Sequence, residues 1–460
     1  MKRTVVFGAI TLAGLMAVSA QAKVSEEEAA RLGADLTPMG AERAGNAEGS
    51  IPAWTGSMKG APQGLNYGGD GAALPDPYAE EKPLFSITAE NVDQYADKLS
   101  AGQLALFKLR PDTFRMDIYP THRDAAYARI EIDRAKWNAT RTELANKGES
   151  IQNWTGGTAF PIPRDGFEAM WNTRTGGIPN PTQYGEYREI AVFANGSRNM
   201  IGNSIQTNFL FADRRNPVGK TETEIGNTLF MTMANRTVPA AEKGNMNLVH
   251  DPIDYTSEAR KAWTYVPGTR RVRQAPNLGF DTPTGPGGLV TVDDTNGFNG
   301  AFERYDWKLL GKRELYIPYN SYAFDDTSLA FDDLLQTGHP NADHMRYELH
   351  RVWVVEATLK PGERHLYGKR VFYIDEDSWL ISAIDSYDNR GEIYRTGLLN
   401  IVYHYAIDGY LARTQFFFDL PAGHYLASRL VNTTSQPIVD GEMKKTEYFT
   451  PSNLRRQARR

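Results

Sequence analysis

From about residue 183 the chain reads as short runs of Val, Ile, Tyr, Phe and Trp separated by Gly, Pro, Asn and Asp. Among them are "REIAVF", "TNFLFA", "KAWTYV", "RELYIPY", "HRVWVVEATL", "KRVFYID", "WLISAIDSY", "LLNIVYHYAI" and "RTQFFFDL". Apolar runs this short, bounded by turn-forming residues, predict strands rather than helices. In Arg351-Val352-Trp353-Val354 polar and apolar positions alternate, the period of a strand with one face in water. "YIDEDSW" and "SYDNRGEIY" read as hairpin turns between successive strands. The pattern predicts a large antiparallel sheet over residues 183–450.

Two stretches upstream have the 3.6-residue period instead. Residues 88–109 bring Val92, Tyr95, Ala96, Leu99, Leu106 and Phe107 near one face, and Pro111 stops the helix. Residues 124–147 repeat Tyr127, Ile130, Trp137 and Leu144 at helical spacing, with Gly148 where a C-terminal cap belongs. Residues 86–182 are therefore expected to supply helices and loops. Residues 23–85, dense in Gly and Pro, show neither period and are read either as an extended segment laid on the body or as a flexible one. "GSIPAWTGS" (49–57) echoes "ESIQNWTGG" (149–157), either an old duplication or, since the flanking residues do not match, a favoured loop that docks a tryptophan. Residues 451–460 hold four arginines in the last six positions and are expected to form a basic, frayed tail.

The first residues change the compartment. Lys2 and Arg3 precede an apolar run over 5–18, and Ala20-Gln21-Ala22 supplies a small-x-small cleavage pattern. Residues 1–22 are expected to be a secretory signal peptide cut after Ala22, placing the mature protein in the periplasm. Removing 22 residues from 460 leaves 438 and moves the formal net charge from −5 to −7. That acidity argues against a nucleic-acid partner. The absence of cysteine excludes disulfides, thiolate nucleophiles and thiolate metal sites. With 23 Tyr, 20 Phe and 8 Trp, the composition suits a β-rich body.

Candidate chemistry is thin. His339, His344, His350 and His365 fall close together, with Asp343 or Glu348 as added ligands in a metal reading. They form no H-E-x-x-H and no i, i+4 pair, so they are read as surface histidines, and no metal is expected. Asp293-Asp294, Asp325-Asp326, Asp332-Asp333 and Asp375-Glu376-Asp377 are read as solvated turn residues; as facing pairs, any of them would fit a glycosidase. No nucleophile elbow, phosphate loop or dinucleotide fingerprint occurs, so no catalytic residue and no cofactor are assigned. In "TYVPGTRRVRQAPN", Arg271 and Arg273 share one strand face, a candidate anion or headgroup contact.

"GSIPAWTG" (49–56), "RRVRQAPNLGFDTP" (270–283), "NGAFERYDWKLLGKRELYIPYNSY" (299–322) and "RYELHRVWVVEATLKPGERHLYGKRVFYIDEDSW" (346–379) resemble a proteobacterial periplasmic family. That family is classed as a domain of unknown function and labelled outer-membrane lipoprotein-sorting-like. The strand-rich half is similar in pattern to the lipoprotein carriers LolA and LolB. The resemblance implies an α+β, mainly β fold, with a curved antiparallel sheet forming an incomplete barrel and helices over its concave face. It further implies non-catalytic transfer of a lipid or other hydrophobic cargo between inner and outer membrane. An inner-membrane exporter and an outer-membrane protein would be its partners. Tyr127, Ile130, Trp137 and Leu144 then become candidate cargo contacts on a lid helix. An outer-membrane β-barrel or pore component and a carbohydrate-active hydrolase are the alternatives.

Overall fold

The computed structural model describes residues 24–275 and 279–458; the expected leader, 1–22, lies outside them. Fifteen strands form one mixed, curved sheet that does not close into a barrel. In chain order these are β1 (Phe85–Ile87), β2 (Met116–Ile118), β3 (Thr182–Val192), β4 (Arg198–Phe209), β5 (Thr228–Val238), β6 (Met246–Pro252), β7 (Lys261–Val266) and β8 (Arg271–Gln274). The later strands are β9 (Tyr305–Pro318), β10 (Tyr347–Leu359), β11 (Lys369–Asp375), β12 (Ile381–Tyr387), β13 (Ile393–His404), β14 (Gly409–Asp419) and β15 (His424–Leu430).

β10 to β15 pair in chain order as an antiparallel meander. β15 then pairs with β3, Leu426 opposite Ala191, and β3 to β8 continue the sheet as a second meander. β9 flanks β10 along its length. β2 meets β10 in parallel, Ile118 opposite Tyr347, which makes the expected antiparallel sheet a mixed one.

The central strands bury both faces. Val352, Val354, Val371, Tyr373, Phe416 and Phe418 belong to one core, and Val355, Ala357, Phe372, Ile374 and Phe417 to another. Double-sided burial explains why "LLNIVYHYAI" and "RTQFFFDL" lack clean alternation, for a strand with no wet face has no reason to alternate. It also corrects the reading of 351–354, because Arg351 is buried rather than in water.

Helices lie on both faces. α1 (Ala101–Leu109) puts Leu106 and Phe107 into the first core, and α3 (Gly166–Thr175) puts Ala169, Met170 and Trp171 into the second. The helix expected over 88–109 is broken in two. Val92–Lys98 is a 3₁₀ turn, and α1 restarts at a capping box made by Ser100 and Gln103. The helix expected over 124–147 shrinks to α2 (Arg129–Ala139). Its end is fixed by Asn138, whose amide donates to the carbonyls of Gly156 and Thr158 while its oxygen accepts from Thr155. The N-terminal segment lies along the body, with Trp54 donating to the Ala125 carbonyl and stacking on Tyr127. The echoed loop does the same with Trp154, stacked 4.4 Å from Phe211.

The C-terminal tail corrects expectation most plainly. Thr450 caps α4 (Pro451–Gln457), Pro451 occupies the first turn, and Leu454 is fully buried. The acids and histidines also move inside. Asp293, Asp294, Asp325, Asp375, Glu376 and Asp377 are buried, as are His339, His350 and His365. Asp332 and Asp343 remain exposed, and His344 is half-buried.

Candidate functional site

The β10–β11 hairpin builds a polar centre inside the sheet. Its register sets Val352 opposite Asp375, which brings His350 beside the tight turn over residues 375–379. In that turn Asp375 Oδ2 accepts from the Ser378 amide at 2.9 Å and the Ser378 hydroxyl at 2.6 Å, while Tyr319 donates at 3.4 Å. Among the described residues Asp375 Oδ1 has no hydrogen-bond partner, and it lies 3.6 Å from His350 Nδ1. The other nitrogen, His350 Nε2, meets Glu348 Oε2 at 3.2 Å, and the Tyr319 ring stacks on the imidazole at 4.0 Å. Glu348 is held in turn by Arg346, Asn320 and the His122 amide.

Arginines close the neighbouring acids. Arg123 grips Asp377 through both oxygens, at 2.7 and 2.8 Å. Arg351 and Lys312 each reach Glu376 at 2.7 Å. Burial pushes the Asp375 carboxyl up, against the pull of His350. Burial also raises Asp377, but the Arg123 guanidinium outweighs it and holds that carboxyl below its usual range. Tyr127 donates to the Asp377 carbonyl and, with Tyr410 and Ser378, lines a space of about 20 Å³, room for one water. The same motif recurs elsewhere. Arg370 bonds Asp293 and Asp294, and Arg413 bonds Asp325 through both oxygens. These acids are ion-paired inside the core, not facing each other across a cleft as a glycosidase requires.

A second feature lies on the β5–β8 wing. Met231, Met233, Met246, Leu248 and Tyr265 form a cluster separate from the two cores, and Phe449 and Leu454 complete it. Cross-strand register puts Met233 opposite Leu248, Leu248 opposite Trp263, and Val272 opposite Tyr265, so all share one face. α4 and the turn before it are the cover. Lys444 and Asn208 exchange two hydrogen bonds at the start of this segment, and the His250 ring bonds the Phe449 carbonyl at 2.8 Å. Exposed Arg455 and Arg456 ride on the outer side of α4. The alternating methionines of "LFMTMAN" carry the period-two signal for this face.

The residues singled out from sequence are scattered over several elements. Tyr127 precedes α2, Ile130 and Trp137 sit half-buried on it, and Leu144 belongs to a short strand, Glu143–Ala145. Trp137 stacks under Arg141, while Tyr127 and Leu144 pack against the second core. The buried face of α2 is instead Glu131, Arg134, Ala135, Asn138 and Ala139. Arg271 and Arg273 do share a face, exposed and opposite to Val272 and the methionines.

The family model of the proteins of unknown function DUF1329 matches residues 86–455, and the chain belongs to that family. Its likeness to an uncharacterized protein of Pseudomonas aeruginosa is 43% identity over 452 residues, 96% of each chain. Among solved structures, a DUF1329 family protein from Desulfovibrio piger aligns at 14% identity over 60% of this chain and 92% of its own, with a TM-score of 0.40. A putative outer membrane lipoprotein-sorting protein domain from Vibrio parahaemolyticus aligns at 15% identity over 60% and 91%, with a TM-score of 0.39. A LolA superfamily protein from Nitrosomonas europaea aligns at 12% identity over 63% and 98%, with a TM-score of 0.37. Among the described residues, no helix is long and apolar enough to cross a membrane.

Proposed function

We propose that the protein binds a lipid or other acyl-chain amphiphile and transfers it between the inner and outer membranes of the periplasm, without catalysing a reaction. The observation that carries this reading is the methionine-lined face of β5–β8, closed by one seven-residue helix. Methionine side chains are flexible and polarisable, and they repack around varied apolar shapes. Two spaces within the cores are of water size, about 10 and 20 Å³, too small for an acyl chain. A cargo site that opens when an element swings aside does not depend on them, and α4 suits that role.

The energies are commensurate. Uncovering Phe449 and Leu454 costs about 3–6 kcal/mol, and about four to eight buried methylenes offset it at about 0.8 kcal/mol each. A fatty acyl chain of ordinary length exceeds that number, whereas a short-chain acid does not. Arg455 and Arg456 sit where an anionic headgroup would emerge beside the helix.

The test is titration of the full-length mature chain with a fluorescent sixteen-carbon fatty acid, with native mass spectrometry of whatever lipid co-purifies. One ligand per chain is expected, with at least tenfold weaker binding by Leu248→Asp, which puts a charge on the apolar face. No binding by the wild type, or unchanged affinity in folded Leu248→Asp, overturns the proposal.

A further inference from the structure

We propose that His350, Asp375 and Asp377 hold a divalent transition-metal cation inside the sheet, with zinc the ion their donor set suits. One ligand atom from each of the three lies within 4.8 Å of the others, and all three side chains are buried. The acids alone would not make a site. The second observation is the bare Asp375 Oδ1, an oxygen on a fully buried residue with no hydrogen-bond partner among the described residues, facing His350 Nδ1.

The 3.6 Å between these two atoms is too long for a hydrogen bond. It suits two ligands of one ion. Bonds of about 2.1 Å meeting near the tetrahedral angle hold their ligand atoms about 3.4 Å apart. The outer contacts suit it too. A metal-ligating histidine typically donates its other ring N–H to a carboxylate, and Glu348 stands 3.2 Å from His350 Nε2. That contact leaves the Nδ1 lone pair aimed at Asp375. Ser378 and Tyr319 occupy only the Oδ2 side of Asp375, which fixes its orientation and keeps Oδ1 open. Asp377 contributes from within its clasp with Arg123, the weakest ligand of the three.

Charge balance points the same way. The ion pairs around the centre form two networks. In one, Arg123, Lys312 and Arg351 balance Glu42, Glu376 and Asp377; in the other, which holds His350, Arg346 is the fixed cation against three carboxylates, Glu81, Glu348 and Asp375. Two negative charges remain, and one divalent cation cancels them in a place where an uncompensated charge is costly. Protonation of His350 and His122 is the rival way to balance the network, and the experiment separates the two. One imidazole with carboxylates favours zinc-like ions over magnesium, which prefers an all-oxygen shell.

The experiment uses the full mature chain, stripped with EDTA and dialysed against Zn²⁺ alone, with bound metal measured by elemental analysis. One zinc per chain is expected, undisturbed by excess Mg²⁺. Asp375→Asn keeps an oxygen to accept from Ser378 and should bind zinc at least tenfold more weakly. His344→Ala, at a half-buried histidine outside the centre, should bind as the wild type does. The wild type is also loaded with Co²⁺, whose intense visible bands report a four-coordinate site without any variant. Substoichiometric zinc in the wild type, equal binding by folded Asp375→Asn, loss of binding in His344→Ala, or octahedral Co²⁺ spectra would each overturn the assignment.

Discussion

Leu454→Ala separates a displaceable cover from a piece of fixed core. Leu454 is fully buried against the methionine-lined face, and truncating it removes about 2 kcal/mol of apolar burial. If α4 opens as a unit, that loss falls on the docked state alone. The open fraction then rises about 30-fold, since each 1.4 kcal/mol is a factor of ten, and the apparent Kd for a fatty acid falls by up to the same factor. The body should melt where the wild type melts, because local opening of a terminal helix lies well below the global unfolding free energy. The assay is fatty-acid titration beside calorimetry on the same variant. A leucine locked into core behaves oppositely, costing 2–5 kcal/mol of global stability with no gain in affinity. A melting temperature lowered by several degrees with unchanged or weaker binding would refute a hinged α4.

Two further predictions concern the core. Burial pushes the His404 imidazole from its usual 6.5 down to about 3, helped by Arg413. A lowered folded-state pKa means that the unfolded chain takes up the proton first, so stability falls as pH drops from about 6.5 toward 3, by about 2 kcal/mol between pH 7 and 5. Chemical denaturation across that range should show His404→Asn losing about that much less than the wild type. Arg413→Met leaves Asp325 buried without its bidentate partner and should cost about 3–5 kcal/mol by urea unfolding. Recovery of most of that loss in Arg413→Met combined with Asp325→Leu would confirm that the uncompensated charge is the cause.

The strands were legible because apolar runs between turn residues survive even when alternation fails. What the pattern hid was the second buried face: "VYHYAI" and "FFFDL" show no wet side because both sides are core. The acids misled for a related reason. Asp375 to Asp377 look like any solvated turn, and their arginine partners Arg123 and Arg351 are called in by tertiary register rather than by local spacing. His350 and Asp375 are 25 residues apart and meet through the β10–β11 pairing, so no spacing rule finds them. The helix 124–147 was overextended because periodicity does not record where Asn138 ties the chain to the 153–158 loop. At the C-terminus, Thr450 and Pro451 start α4, and the four arginines of the tail draw attention away from that start.

The pairing of β15 with β3 sets the order in which the molecule can be completed. β3 to β8 form a meander of neighbours in sequence, and so do β10 to β15, so each makes its ladders from local contacts. The seam between them joins residues 190–192 to residues 425–427, a closure across more than half the chain. Until residue 430 is present, β3 offers an open ladder of amides and carbonyls, a template for pairing with any other strand. A chain cut short before His424 keeps both meanders nearly whole yet leaves each with a raw edge. Truncated products should therefore aggregate through intermolecular pairing at β3 rather than simply unfold, and they place the greatest demand on whatever chaperone receives the chain.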